Sequence, residues 1–297
     1  PVFAVTMLAF VANATEVNLP TAVVLDKTSS YYDSVSNKIT YENSSDIVAG
    51  SGGNTVFVNA KDIPVDIKNT GNISAPTGGF GIYGHTTPTV GAPIYIDNQG
   101  TIERIQLQEF DGVTIFNQSE QETSDDSETD TGTDTGTDTG TDTQADEENT
   151  ATQVTPVIKG SMLLGTNAMV SNFGGRFENF DGDDKNNTIA FASNGTLHNG
   201  AQPIVSSIKD EDGHETLVQT GLKIFDSSIT TDNIIFLGNG FFSNASKVDV
   251  QSVNMGNNAT IRNVVDPYIS NVGDENLAGK VLPDGANFKA VDIEVGN

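Results

Sequence analysis

The 297-residue sequence predicts an all-β chain wound as a parallel β-helix, a β-solenoid of about ten coils. Three observations carry that prediction. The first is a recurring corner of the form apolar-x-Asn-x-Gly-x-apolar. Ile67-Lys68-Asn69-Thr70-Gly71-Asn72-Ile73 and Ile96-Asp97-Asn98-Gln99-Gly100-Thr101-Ile102 are full copies. Val170–Gly175 and Ala192–Leu197 are close to them, and Met255–Ile261 is looser. Two short strands flank a bend that needs a left-handed backbone, which Gly adopts freely and Asn tolerates. The second is a thin supply of core: 36% hydrophobic residues, no Trp and 30 Gly. That composition suits a narrow aliphatic stack better than a broad globular centre. The third is periodicity. Short runs alternate apolar and polar residues and are rich in β-branched types, whereas no ten-residue stretch holds a 3.6-residue period.

Taken in order, residues 1–14 read as the remnant of an export signal. Val2 to Ala12 is an apolar run, and Ala12-Asn13-Ala14 fits a small-x-small cleavage site. A buried first strand, or a donor strand completing a neighbour's sheet, is the competing reading. Residues 15–117 form the first part of the coil, with strands expected at 21–25, 38–41, 55–59, 65–67, 94–96 and 113–116 and turns at 50–54 and 76–79. Residues 118–153 break the pattern. They carry twelve acids and no base, and Thr129 to Thr143 iterates Asp-Thr-Gly-Thr with nothing apolar to bury. This segment is expected to be a disordered acidic loop. A calcium-binding β-roll would need an apolar residue in each repeat, where Thr stands instead. Residues 154–297 resume the coil, with strands expected at 154–159, 162–164, 168–170, 188–192, 217–225, 233–237, 247–253, 260–265 and 291–295. Asn corners recur about every 20–30 residues, one turn of a three-sided coil. Asn side chains at equivalent corners are placed to hydrogen-bond along the axis.

Charge and cysteine content exclude several classes. The formal net charge is -26, with 14 Lys and Arg against 40 Asp and Glu. Phosphate-backbone binding needs a basic face, so nucleic acid is not a partner, and anionic lipid is disfavoured for the same reason. With no Cys there are no disulfides, thiol chemistry or Cys-ligated zinc.

The two full corner copies resemble the passenger domains of bacterial autotransporters and related large surface adhesins, in style across most of residues 55–265. The resemblance implies a right-handed parallel β-helix, export through an outer membrane and display at the cell surface. Its partner would be a host or neighbouring-cell surface glycan or protein, or a further copy of the chain. The family's membrane β-barrel has no counterpart in residues 282–297, so outer-membrane attachment is expected outside this chain.

Candidate chemistry is sparse. Asp181, Asp183, Asp184 and Asn186 form one oxygen-rich loop, and Asp210 and Asp212 belong to another. Calcium takes six to eight oxygen ligands, and clustered Asp and Asn bent by Gly supply several. Neither loop has EF-hand spacing, and a polar turn is the competing reading. Pectin-cleaving β-helix enzymes need a base beside a metal-clamped uronate. The three arginines, Arg104, Arg176 and Arg262, stand in dissimilar contexts. Arg176, near Glu178 and Asp181, reads as a surface ion pair before a substrate clamp. His85, His198 and His214 share no ligand-like spacing and read as turn residues. No nucleophile elbow, phosphate loop or dinucleotide fingerprint exists.

The sequence therefore predicts a non-catalytic, secreted or cell-surface rod, an adhesin or display element that requires no cofactor. A self-assembling subunit of an extracellular sheath, tube or surface layer, joined by a donor strand and calcium, is the alternative. A polysaccharide-active enzyme is the third reading.

Overall fold

The computed structural model describes residues 22–85, 91–119, 154–181, 186–209, 215–263 and 287–295. All regular structure in them is β, and most of it lies in two long sheets that are almost wholly parallel. The expected export signal at 1–14 and nearly all of the acidic stretch lie outside the described residues.

One sheet is built from Lys38–Asn43, Val65–Asn69, Ile94–Asn98, Thr114–Gln118, Met169–Phe173, Gly195–Asn199, Gly240–Asn244 and Thr260–Asn263, each parallel to the next. Tyr32–Asp33 closes its first edge in the antiparallel sense. We call it the asparagine sheet, because each of these strands carries an Asn at the same register position. The second sheet takes up the chain after each of those strands. Some of its passes are two short strands, such as Asp46–Val48 with Val56–Val58 and Asn72–Ser74 with Ile82–Gly84. Others are single strands that span both positions, such as Thr101–Leu107 and Val157–Thr166. The chain thus visits the two sheets alternately and pairs each strand with its counterpart one pass on.

The core follows from the alternation within each strand. In the asparagine sheet, Tyr41, Ile67, Ile96, Ile115, Val170, Leu197 and Phe242 occupy one inward row. In the second sheet, Val56, Ile82, Ile105, Met162, Ile189, Ile234 and Val253 occupy another. Each buried aliphatic or aromatic side chain is worth about 1.5–3 kcal/mol, and stacking like on like lets one narrow column hold the sheets together. Bulk is balanced across the column. Phe191 and Phe236 stack with centroids 4.8 Å apart. Opposite them stand Gly195 and Gly240, where a Cβ would lie 2.4 and 2.3 Å from the rings.

Most expected strands are present, often longer than predicted. The 154–159 and 162–164 runs fuse into Val157–Thr166, through Gly160 at φ +79°. Expected strand 217–225 departs from the prediction. It is not part of the coil, but pairs as Glu215–Ile224 with Ala201–Lys209 in an antiparallel hairpin. Its β-branched alternation signals a strand without saying which partner it takes.

Candidate functional site

The feature that organises the molecule is a column of asparagines at the corner where the chain leaves the asparagine sheet. Asn43 Nδ2 donates to Asn69 Oδ1 at 2.8 Å, and Asn69 donates in turn to Asn98 at 2.8 Å. The relay continues through Asn117, Asn172, Asn199 and Asn244 to Asn263, every step between 2.7 and 2.9 Å. All but the last side chain are buried. The second amide hydrogen goes to main-chain carbonyls, as from Asn98 to Gly100 at 3.1 Å and Val157 at 3.2 Å. A carbonyl only accepts, so these bonds fix which way each amide faces. The backbone repeats the connection: the amides of Thr70, Gln99, Gly200 and Ala245 donate to the carbonyls of Asn43, Asn69, Asn172 and Asn199. Unpaired, such buried amides would be costly; joined end to end, they are satisfied.

A second column stands at the opposite corner, where the chain enters the asparagine sheet. Asn258 donates to Asn239 at 3.4 Å, Asn239 to Asn194 and Asn194 to Asn167 at 3.0 Å each, and Asn167 to the Asp111 carboxylate at 2.7 Å. These side chains, Asp111 apart, are exposed. Asn167, Asn194 and Asn258 have φ of 55°, 50° and 60°, a left-handed conformation that Asn tolerates. This column runs in the opposite sense. Asp111 sets its direction, because a carboxylate accepts and does not donate.

The five sequence motifs therefore belong to two different corners. Asn69, Asn98 and Asn172 lie in the buried column; Asn194 and Asn258 lie in the exposed one. The following Gly misleads, because both corners use it for different reasons. At Gly100 a Cβ would strike the Gly71 carbonyl at 2.1 Å, whereas at Gly195 it would strike the Phe191 ring. Asn43, Asn117, Asn199, Asn244 and Asn263 were legible by a simpler rule. Each follows a core residue by two positions, as in Tyr41-Glu42-Asn43, Ile115-Phe116-Asn117 and Phe242-Ser243-Asn244.

The buried column also locates the long connections. Successive members are separated by 26, 29, 19, 55, 27, 45 and 19 residues. The two long intervals follow Asn117 and Asn199. The first holds the acidic stretch, and the second holds the hairpin, whose root is closed by the Phe225 amide on the Gly200 carbonyl at 2.8 Å. After Asn263 the next described strand begins at Asn287. All three long intervals begin at the same corner, on every second pass. Residues 118–156, 200–227 and 264–286 together hold 21 of the 40 acids but 3 of the 14 Lys and Arg.

The other candidate residues are dispersed. Asp181 and Asn186 are exposed, while Asp183, Asp184, Asp210, Asp212 and His214 lie outside the described residues. Among the described residues no three His, Asp or Glu side chains gather as metal ligands would. Arg104 is buried, donates to the Pro76 carbonyl at 2.6 Å and lies 4.6 Å over the Phe180 ring. Arg176 is exposed, 4.0 Å from Glu178, and Arg262 is in the last strand of the asparagine sheet. His85 Nδ1 lies 2.9 Å from Glu109 Oε2. His198 packs against the edge of Phe241, and burial holds its pKa below the ordinary histidine value. No protein-family model, curated protein or solved structure matches this chain.

Proposed function

We propose that the chain is a right-handed parallel β-helix acting as a non-catalytic display rod, secreted or held at the cell surface, with an adhesive role. The observation that carries this reading is the placement of the three long connections. An enzyme groove needs side chains converging on one face, whereas a display rod needs a stiff column with variable segments along one edge. Here the column is the sheet pair with its buried asparagines, and the edge is the corner after Asn117, Asn199 and Asn263. Parallel strands step by about 4.8 Å, so departures on alternate passes sit about 10 Å apart. Their acidity favours a partner with basic or cation-bridged groups on a cell surface.

The test removes residues 120–153, joining Ser119 to Val154. Beads carrying the full chain or the shortened chain are offered to a glycan array and to cultured cells. Unchanged circular dichroism with loss of adhesion is expected. Adhesion that survives the deletion, or a rod that unfolds without the segment, would overturn the reading.

A second reading, a self-assembling sheath or layer subunit, draws on the terminal strands. Among the described residues Val23–Leu25 and Asn287–Val295 each pair on one side only. Sedimentation with calcium and with chelator separates the two readings: a rod that displays stays monomeric in both.

A further inference from the structure

Three Asn-Gly dipeptides occur in this chain, Asn194-Gly195, Asn199-Gly200 and Asn239-Gly240. We infer that Asn194 and Asn239 are sites of spontaneous self-modification, converting to aspartate and isoaspartate in the folded protein, and that Asn199 is protected.

The dipeptide at the exposed corner results from two independent demands. At 194 the corner bends through a left-handed residue, φ 50°, and at both 194 and 239 the amide extends the exposed column. The next residue has to be Gly, because a Cβ at 195 or 240 would enter the Phe191 or Phe236 ring. Together these demands place a solvent-exposed Asn before a residue with no side chain to hinder attack. In the reaction a hydroxide ion removes the proton from the glycine backbone nitrogen, which attacks Cγ of the preceding Asn. The new N–C bond closes a five-membered succinimide, and the Cγ–Nδ2 bond breaks with release of ammonia. Water then adds to one of the two ring carbonyls and opens the ring to Asp or isoAsp.

Asn199 has the same neighbour but the opposite surroundings. Its amide donates to Asn244 at 2.8 Å and to the Lys247 carbonyl at 3.1 Å, and it accepts from Asn172 at 2.8 Å. The attacking nitrogen, that of Gly200, is held on the Asn172 carbonyl at 2.9 Å. Closing the ring would require leaving the buried column. The Asn194 and Asn239 side chains have exposed Asn partners at 3.0 to 3.4 Å, and the Gly195 nitrogen donates to the carbonyl of exposed Asn239 at 3.2 Å, a longer bond than the one that holds Gly200. Once converted, residue 239 still accepts from Asn258 but has no hydrogen to give Asn194, so the exposed column is cut at that step and gains a negative charge.

The test is peptide mapping by mass spectrometry after incubation of the full chain in mildly alkaline buffer, with a parallel sample in denaturant. In the folded chain, NH2-to-OH conversion is expected at 194 and 239, with 199 at least tenfold slower. In denaturant all three should react at similar rates, which shows that the difference belongs to the fold. Asn199 reacting as fast as the other two in folded protein would overturn the inference, as would Asn194 and Asn239 surviving as long as Asn199.

Discussion

Replacing Asn98 by Ala tests whether the buried column is a chain of satisfied amides or a decoration of the corner. Asn98 is fully buried. It donates to Asn117 at 2.7 Å and to two main-chain carbonyls, and accepts from Asn69 at 2.8 Å. Alanine removes all four bonds. Asn69 keeps its carbonyl partners at Gly71 and Thr101, and the Gly100 carbonyl keeps the Val157 amide. Asn117 Oδ1 loses the donor that Asn98 supplied. An orphaned buried acceptor costs about 1–3 kcal/mol and each lost bond about 1 kcal/mol net, so the expected loss is about 3 kcal/mol. The matched change at the end of the column, Asn263→Ala, removes an exposed partner and leaves Asn244 its bond to the Ser246 carbonyl. It should cost about 0.5–1 kcal/mol. A difference of about 2 kcal/mol is about a 30-fold change in an opening equilibrium. Hydrogen exchange reads it locally at the amides of Gln99 and Gly100, both bonded to the Asn69 carbonyl; urea unfolding reads it globally. Equal effects from the two substitutions would refute the reasoning, because a column whose interior is no more costly to break than its tip is not acting as one.

Further outcomes follow from named contacts. Gly175→Ala would place a Cβ 2.2 Å from Asn117 Nδ2 and 2.7 Å from Asn172 Oδ1. It should lower the unfolding midpoint by more than Gly112→Ala, where the left-handed backbone, φ 71°, is the only obstacle. Burial, aided by Tyr31, pushes the Tyr41 phenol up to about 12 from an ordinary 10.0. The fold favours the neutral phenol, so this contribution is whole below pH 10 and is lost as pH rises toward 12. Tyrosinate absorbance should show a late-titrating phenol that is missing in Tyr41→Phe. Burial lowers the pKa of His198 from 6.5, so its contribution is present above that pH and lost as the medium is acidified through the folded value. Histidine resonances followed by NMR should place His198 below a free imidazole.

The sequence made the strands legible because a two-residue alternation records burial directly, as in Lys38–Asn43 and Val65–Asn69. It recorded the corners less well. Asn and Gly recur at both ends of the asparagine sheet, and the local string does not say whether Gly is there for a carbonyl, as at 100, or for a phenylalanine ring, as at 195. The hairpin was hidden for a related reason: residues 217–225 alternate like any strand, while its antiparallel pairing with Ala201–Lys209 depends on a neighbour upstream. The Asn column was anticipated as a possibility of stacking, but its eight members emerge only when registers are aligned across gaps of 19 to 55 residues. Arg104 was noted only as one of three arginines in dissimilar contexts; its burial under Phe180 depends on a bulge between Glu103 and Ile105 that no local pattern announces.

The uneven intervals of the buried column carry a consequence for how such a chain tolerates change. In a repeat of fixed length, one added residue shifts everything after it, and a one-residue slip turns every side chain to the wrong face. Here each pass comes back to an asparagine that bonds the one before it, whether 19 or 55 residues have intervened. The amide works as an index mark at which counting restarts. Errors in length are absorbed within one pass and are not handed on. A lineage carrying this mark is free to lengthen, shorten or replace what lies after Asn117 or Asn199 while the next strand still finds its seat.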